Sequence, residues 1–157
     1  MKIILIGIGQ SLRGDDAAGL EAVRVWQKLY PASASLVSVE ICELPGLALL
    51  DLLEGMEAAI LVDALHDPAT PGRVVRLGPY ELASFTSDSQ SAHGWGVAET
   101  LSLGRSLYPS LEQCRISLIG ISGSQFGMGK ELSPEVRAAI GEAAEYIEAE
   151  VQALFIK

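Results

Sequence analysis

The stretch KIILIGIGQSLRGDDAAGL, residues 2–20, decides how the rest of this chain is read. It opens on a short apolar, mostly β-branched run, residues 3–6, which predicts a buried strand bounded by the turn signals Gly7 and Gly9. A polar loop, residues 10–14, leads to two adjacent carboxylates, Asp15 and Asp16. The apolar spacing of Leu20, Val23, Trp26 and Leu29 or Tyr30 then predicts an amphipathic helix. A strand, a glycine turn and an acidic helix start point to an open α/β sheet, in which ligands bind outside the carboxyl ends of the strands. A dinucleotide site does not fit, because that fingerprint needs a third glycine and a helix start free to face pyrophosphate. Asp15 and Asp16 would repel phosphate. One aspartate at such a place caps a helix and is favoured by the helix dipole. The second needs another role, and cation binding supplies one.

Working outward, strands are predicted over residues 35–42, 58–62, 73–77 and 113–122. The run AAILV at 58–62 is almost wholly apolar, the pattern of a central parallel strand covered on both faces, and it runs directly into Asp63. The stretch at 73–77 is brief and carries two arginines, as a short edge strand would. Helices are predicted over 47–53, through Val97, Leu101 and Leu107, and from Ser133-Pro134 onward, with Ser133 as cap. In the last of these, Val136, Ala139, Ile140, Ala143, Ile147, Val151 and Leu154 form one apolar stripe. Residues 79–90 lack sustained periodicity and read as loop with one turn of structure. The glycine-rich residues 120–129 read as a mobile loop at the carboxyl edge, or as backbone approaching a ligand closely. The fold class is therefore a three-layer α/β sandwich. Its mainly parallel, twisted sheet of about five strands carries helices on both faces, in one domain spanning residues 1–157.

With 49% hydrophobic and 20% charged residues, the chain fits a domain able to close its own core. Twenty acidic against eleven basic residues leave a formal charge of −9, so the Lys and Arg clusters that bind nucleic acid or anionic membrane are lacking. The apolar run at residues 3–8 is too short to cross a bilayer and has no signal-peptide flanks, which places the protein in the cytoplasm. Cys42 and Cys114 read as free buried thiols.

The run GIGQSLRGDDAAGL resembles the N-terminal motif of the hydrogenase maturation peptidases, G-x-G-N-x-L-x-x-D-D/E-x-x-G. The match covers Gly7, Gly9, Leu12, Asp15, Asp16 and Gly19, with Gln10 standing where asparagine is usual. Asp63 after the third strand and His93 before an apolar helix match two further family positions. The family's aspartate, glycine and threonine segment is replaced here by Glu43-Leu44-Pro45-Gly46, with Glu43 as counterpart. The resemblance implies an endopeptidase that removes the C-terminal extension of the nickel-iron hydrogenase large-subunit precursor once nickel has been inserted. It also implies Asp16, Asp63 and His93 as the catalytic and metal-contacting trio of a monomeric enzyme.

Two carboxylates and an imidazole form a mixed oxygen and nitrogen set suited to a borderline ion such as nickel or zinc, and three ligands leave the sphere open. Without a thiolate the cage is weak. No tightly bound cofactor is expected, and the nickel should come with the substrate, other divalent ions standing in for it in crystals. The three side chains should meet in one solvent-open cleft, with Asp15 turned elsewhere to cap the first helix. His66 offers a local alternative, an Asp63/His66 pair, or is a surface histidine beside Asp67 and Pro68. No G-x-S-x-G elbow, H-E-x-x-H helix or nucleophilic cysteine is present. The competing readings are a non-catalytic nickel-binding chaperone or degenerate homologue, suggested by Gln10 and the short Glu43 segment, and a nucleoside-type hydrolase or phosphorylase on a similar sheet. The last lacks a basic phosphate site.

Overall fold

The computed structural model describes residues 1–43, 46–84 and 96–156. Five strands form one sheet: β1 (Ile3–Ile8), β2 (Ser38–Cys42), β3 (Ala58–His66), β4 (Val74–Leu77) and β5 (Arg115–Gly123). Their order is β2-β1-β3-β5-β4, with every pairing parallel except that of β4 with β5. The helices are α1 (Ala18–Leu29), α2 (Pro31–Ala34), α3 (Leu47–Leu53), α4 (Pro79–Ser84), α5 (Val97–Leu107) and α6 (Pro134–Phe155).

The alternation along the strands sorts side chains onto two faces, and each face closes a separate core. Leu5, Ile60, Val62, Ala64, Ile119 and Ile121 pack under α1 and α6, where Val23, Trp26, Val136, Ala143 and Ile147 are fully buried. Ile4, Ile6, Ile8, Leu61, Ile116 and Leu118 face the other way, against Leu49, Leu50 and Leu53 of α3, Leu82 of α4 and Leu101 of α5. This is the expected three-layer arrangement. Both thiols are unlinked and buried, Cys42 at the end of β2 and Cys114 just before β5.

Several local expectations change. The third strand does not stop at Val62; it runs on to His66 because Ala64, Leu65 and His66 find partners in Ile121, Ser122 and Gly123 of β5. Residues 31–34, between the first helix and the second strand, form a helical turn with Pro31 at its first position. In α5 the inward position one turn after Leu101 belongs to Gly104, and Leu107 is exposed. A side chain at 104 would collide with Leu50, its Cβ only 2.3 Å from Leu50 Cδ2. No helix among the described residues is long and apolar enough to cross a membrane.

Candidate functional site

The strand order creates one topological switch point beside β1, because the chain leaves β1 toward β2 on one side and toward β3 on the other. Loops after adjacent strands then diverge and leave a crevice at the carboxyl edge of the sheet. Asp16 and Asp63 come to this edge from separate directions. Asp16 lies in the tight helical turn Gly14–Ala17 that connects β1 to α1, and this turn packs against β3. Asp63 follows Val62, whose parallel partner in β1 is Gly7. There β1 is near its end while β3 continues, so Asp63 lies where the sheet has lost a neighbour on that side.

Two glycines make the approach possible. Gly9 has a φ of 144°, and a Cβ there would stand 1.9 Å from the Asp16 carbonyl oxygen. The chain can therefore fold back over its own strand end only without a side chain. Gly19, one turn into the helix from Asp16, sits against the sheet itself. A Cβ at 19 would be 2.3 Å from the Val62 carbonyl oxygen and 2.7 Å from that of Ile8. The start of α1 is thus pressed onto the backbone of β1 and β3, immediately before Asp63.

Both carboxylates are buried, each 1% exposed, rather than open to solvent as expected from the sequence. Asp16 Oδ2 accepts the Gln10 backbone N–H at 3.0 Å, and Asp63 Oδ1 accepts that of Ala64 at 2.8 Å. Glu43 reaches the same region from the end of β2, its Oε1 accepting the Ser11 N–H at 3.0 Å. The backbone amide of Ser11 and then its hydroxyl hold the Glu43 carboxyl below its usual range, so this exposed side chain stays charged. His93 lies outside the described residues. Among the described residues no group of three or more His, Cys, Asp or Glu side chains is arranged to hold a metal.

The Asp63/His66 alternative does not form. Residues three apart on a strand point to opposite faces, and His66 packs on Phe126 with ring centroids 5.2 Å apart. Asp15 does turn away from Asp16, but it caps nothing in α1, whose N-cap is Ala17 with no side-chain bond. Its carboxylate crosses to the segment after β5. Oδ2 accepts the N–H groups of Ser124 at 2.9 Å and Gln125 at 3.0 Å and the Ser133 hydroxyl at 2.9 Å, while Oδ1 accepts the Ser133 N–H at 2.6 Å. Ser133 is the N-cap residue of α6 as expected, yet its hydroxyl serves Asp15 instead of the helix. Sequence reasoning missed this role; its one signal was the doublet of acids itself.

The model of one family, described as hydrogenase maturation protease, matches residues 26–150. This chain belongs to the hydrogenase maturation protease family. The family is one of peptide-bond hydrolases, and its members supply close likenesses in both sequence and shape. The hydrogenase expression/formation protein HupD of Thiocapsa roseopersicina is 26% identical over 148 residues, which are 92% of this chain and 65% of that protein. The chain therefore spans about two thirds of that relative's length. The hydrogenase 2 maturation protease of Escherichia coli is 25% identical, over 94% of this chain and 88% of its own. Among solved structures, the NiFe hydrogenase maturation protease HybD of Thermococcus kodakarensis superimposes with a TM-score of 0.75 at 28% identity, covering 96% of this chain and 99% of its own. The five-stranded, mostly parallel sheet flanked by helices is the family fold.

Proposed function

We propose that this protein is the endopeptidase that removes the C-terminal extension of a nickel-iron hydrogenase large-subunit precursor after nickel insertion. Asp16, Asp63 and His93 are its metal-contacting and catalytic residues, and it acts as a monomer in the cytoplasm. One observation carries the reading: two buried carboxylates, from the β1–α1 connection and from β3, lie at the same carboxyl edge beside the switch point. Family membership supports the substrate, and the donor chemistry supports the source of the nickel. Aspartate oxygens with one imidazole hold nickel weakly in the absence of thiolates. The nickel is therefore part of the substrate, carried in by the large subunit and recognised through its open coordination positions.

Hydrolysis requires one water whose oxygen adds to the scissile carbonyl carbon while its proton is taken up nearby. The C–N bond then breaks as the departing amine gains a proton. The carboxylates of this edge are the proton acceptors at hand. Their burial excludes bulk water, which strengthens electrostatic interactions with whatever enters relative to those in solvent.

The test is cleavage of purified precursor in nickel-loaded and nickel-free forms by wild-type protein and by Asp16→Asn, which keeps volume and loses charge. Cleavage of the loaded form alone, abolished in Asp16→Asn with the fold intact, is the expected result. Equal cleavage of both forms would refute recognition through the nickel. Binding of the loaded precursor without any cleavage would identify a non-catalytic chaperone instead.

A further inference from the structure

We infer that Asp15 is a positioning residue for this reaction: its carboxylate locks the segment after β5 onto the β1–α1 connection and so fixes the backbone that presents Asp16. The inference rests on the function proposed above. Asp15 is fully buried, and its partners Ser124, Gln125 and Ser133 lie 109 to 118 residues further along the chain. Four donors converge on its two oxygens, a density that leaves it no capacity to bind substrate. Bonds from N–H groups to an ionised acceptor are among the strong ones, so the junction is stiff.

The backbone around Asp15 is tied to the same segment. The Asp15 N–H donates to the Gln125 carbonyl at 2.7 Å, that of Gly14 to Lys130 at 3.0 Å, and that of Gly129 to Leu12 at 2.7 Å. The two stretches thus form one unit, and Asp16 is the next residue along it. The fit is close: a Cβ on Gly123 would stand 2.7 Å from the Asp15 Cβ, so the strand end beside Asp15 has no room for a side chain. Helix initiation does not call for this carboxylate, since α1 begins without a side-chain cap. What four bonds to a distant segment do accomplish is to hold one peptide unit, that between Asp15 and Asp16, in a single place.

The test separates positioning from simple stapling of the fold. Asp15→Asn puts an amide NH2 where N–H donors converge, which breaks part of the junction at constant volume. Ser133→Ala removes only the hydroxyl bond. Glu148→Gln weakens a different tie to α6, that with Trp26 and Ser33, remote from the carboxyl edge. All are assayed on nickel-loaded precursor well below their melting temperatures. For Asp15→Asn, kcat should fall about a hundredfold, as about 1 Å of misplacement can cause. KM should change by less than about threefold, the pattern of an interaction needed only for the reacting geometry. Ser133→Ala should lower kcat in the same direction, and it decides the matter should Asp15→Asn fail to fold. Glu148→Gln should keep wild-type kcat. Wild-type kcat in both Asp15→Asn and Ser133→Ala, alongside an inactive Asp16→Asn, would overturn the inference alone. An equal loss in Glu148→Gln would reduce Asp15 to a staple. A fully active Asp16→Asn would instead bring down the proposed site itself.

Discussion

Replacing Gly19 by alanine sets two known effects against each other at a point where the structure says which wins. Alanine favours a helix over glycine by about 1 kcal/mol, and the helical backbone at 19 accepts it. The added methyl, however, would stand 2.3 Å from the Val62 carbonyl oxygen. A carbon and a carbonyl oxygen settle at about 3.3 Å, so α1 must withdraw by about 1 Å. Its neighbours cannot yield, because Ile8 and Val62 are backbone in paired central strands. Overpacking of this kind costs about 1–3 kcal/mol. The net is a destabilisation of up to about 2 kcal/mol, or about 4–8 °C in melting temperature for a chain of this size. Because Asp16 lies one turn before Gly19, the same withdrawal shifts it from the edge, and processing should fall about a hundredfold. Urea denaturation and precursor cleavage on the same preparation measure both. A Gly19→Ala protein as stable as wild type and fully active would show that the contact of α1 with the sheet does not set the site.

Three further outcomes are expected. Burial pushes the Glu148 carboxyl up, but hydrogen bonds from Ser33, Gln152 and Trp26 outweigh it and hold the group below its ordinary 4.5. Its contribution is therefore present above that value and lost as pH falls through the folded pKa, so Glu148→Gln should flatten the acid limb of a stability-versus-pH curve; an unchanged limb would remove Glu148 from the account. Burial raises the Cys114 thiol to about 11 against a weaker opposing effect of Arg105, so at pH 8 iodoacetamide should modify it only in urea, as mass spectrometry would show. Asp63→Asn retains an oxygen to accept the Ala64 N–H and should melt within a few degrees of wild type while losing precursor cleavage.

The layers of the fold were legible because their signals are local. The apolar runs of β1 and β3 needed cover on both faces, and Ser133-Pro134 marked the start of α6 from its own chemistry. Gly9 and Gly19 were visible as motif positions, but what each glycine avoids, the Asp16, Val62 and Ile8 carbonyls, is a tertiary fact. The end of β3 was misplaced for the same reason: its last residues are ordered by β5, not by their own apolar content. Asp15 was the clearest failure. A carboxylate at a helix start has a strong local explanation, and nothing near it in the sequence reveals donors more than a hundred residues away. Asp16 and Asp63 were singled out by motif and strand end, and the structure brings both to one edge of the sheet, while His93 lies outside the described residues.

The junction between Asp15 and Ser133 also has a place in the order of synthesis. The N-terminal strand and helix emerge first, at about 5–20 residues per second, yet the groups that hold Asp15 arrive only with Ser124, Gln125 and Ser133. Trp26 and Ser33 likewise wait for Glu148. A ribosome-bound chain therefore carries the whole N-terminal motif for most of its elongation without the geometry that the motif encodes. The bonds that hold Asp15 are among the last parts of the molecule to be finished, and they appear together with the completed fold.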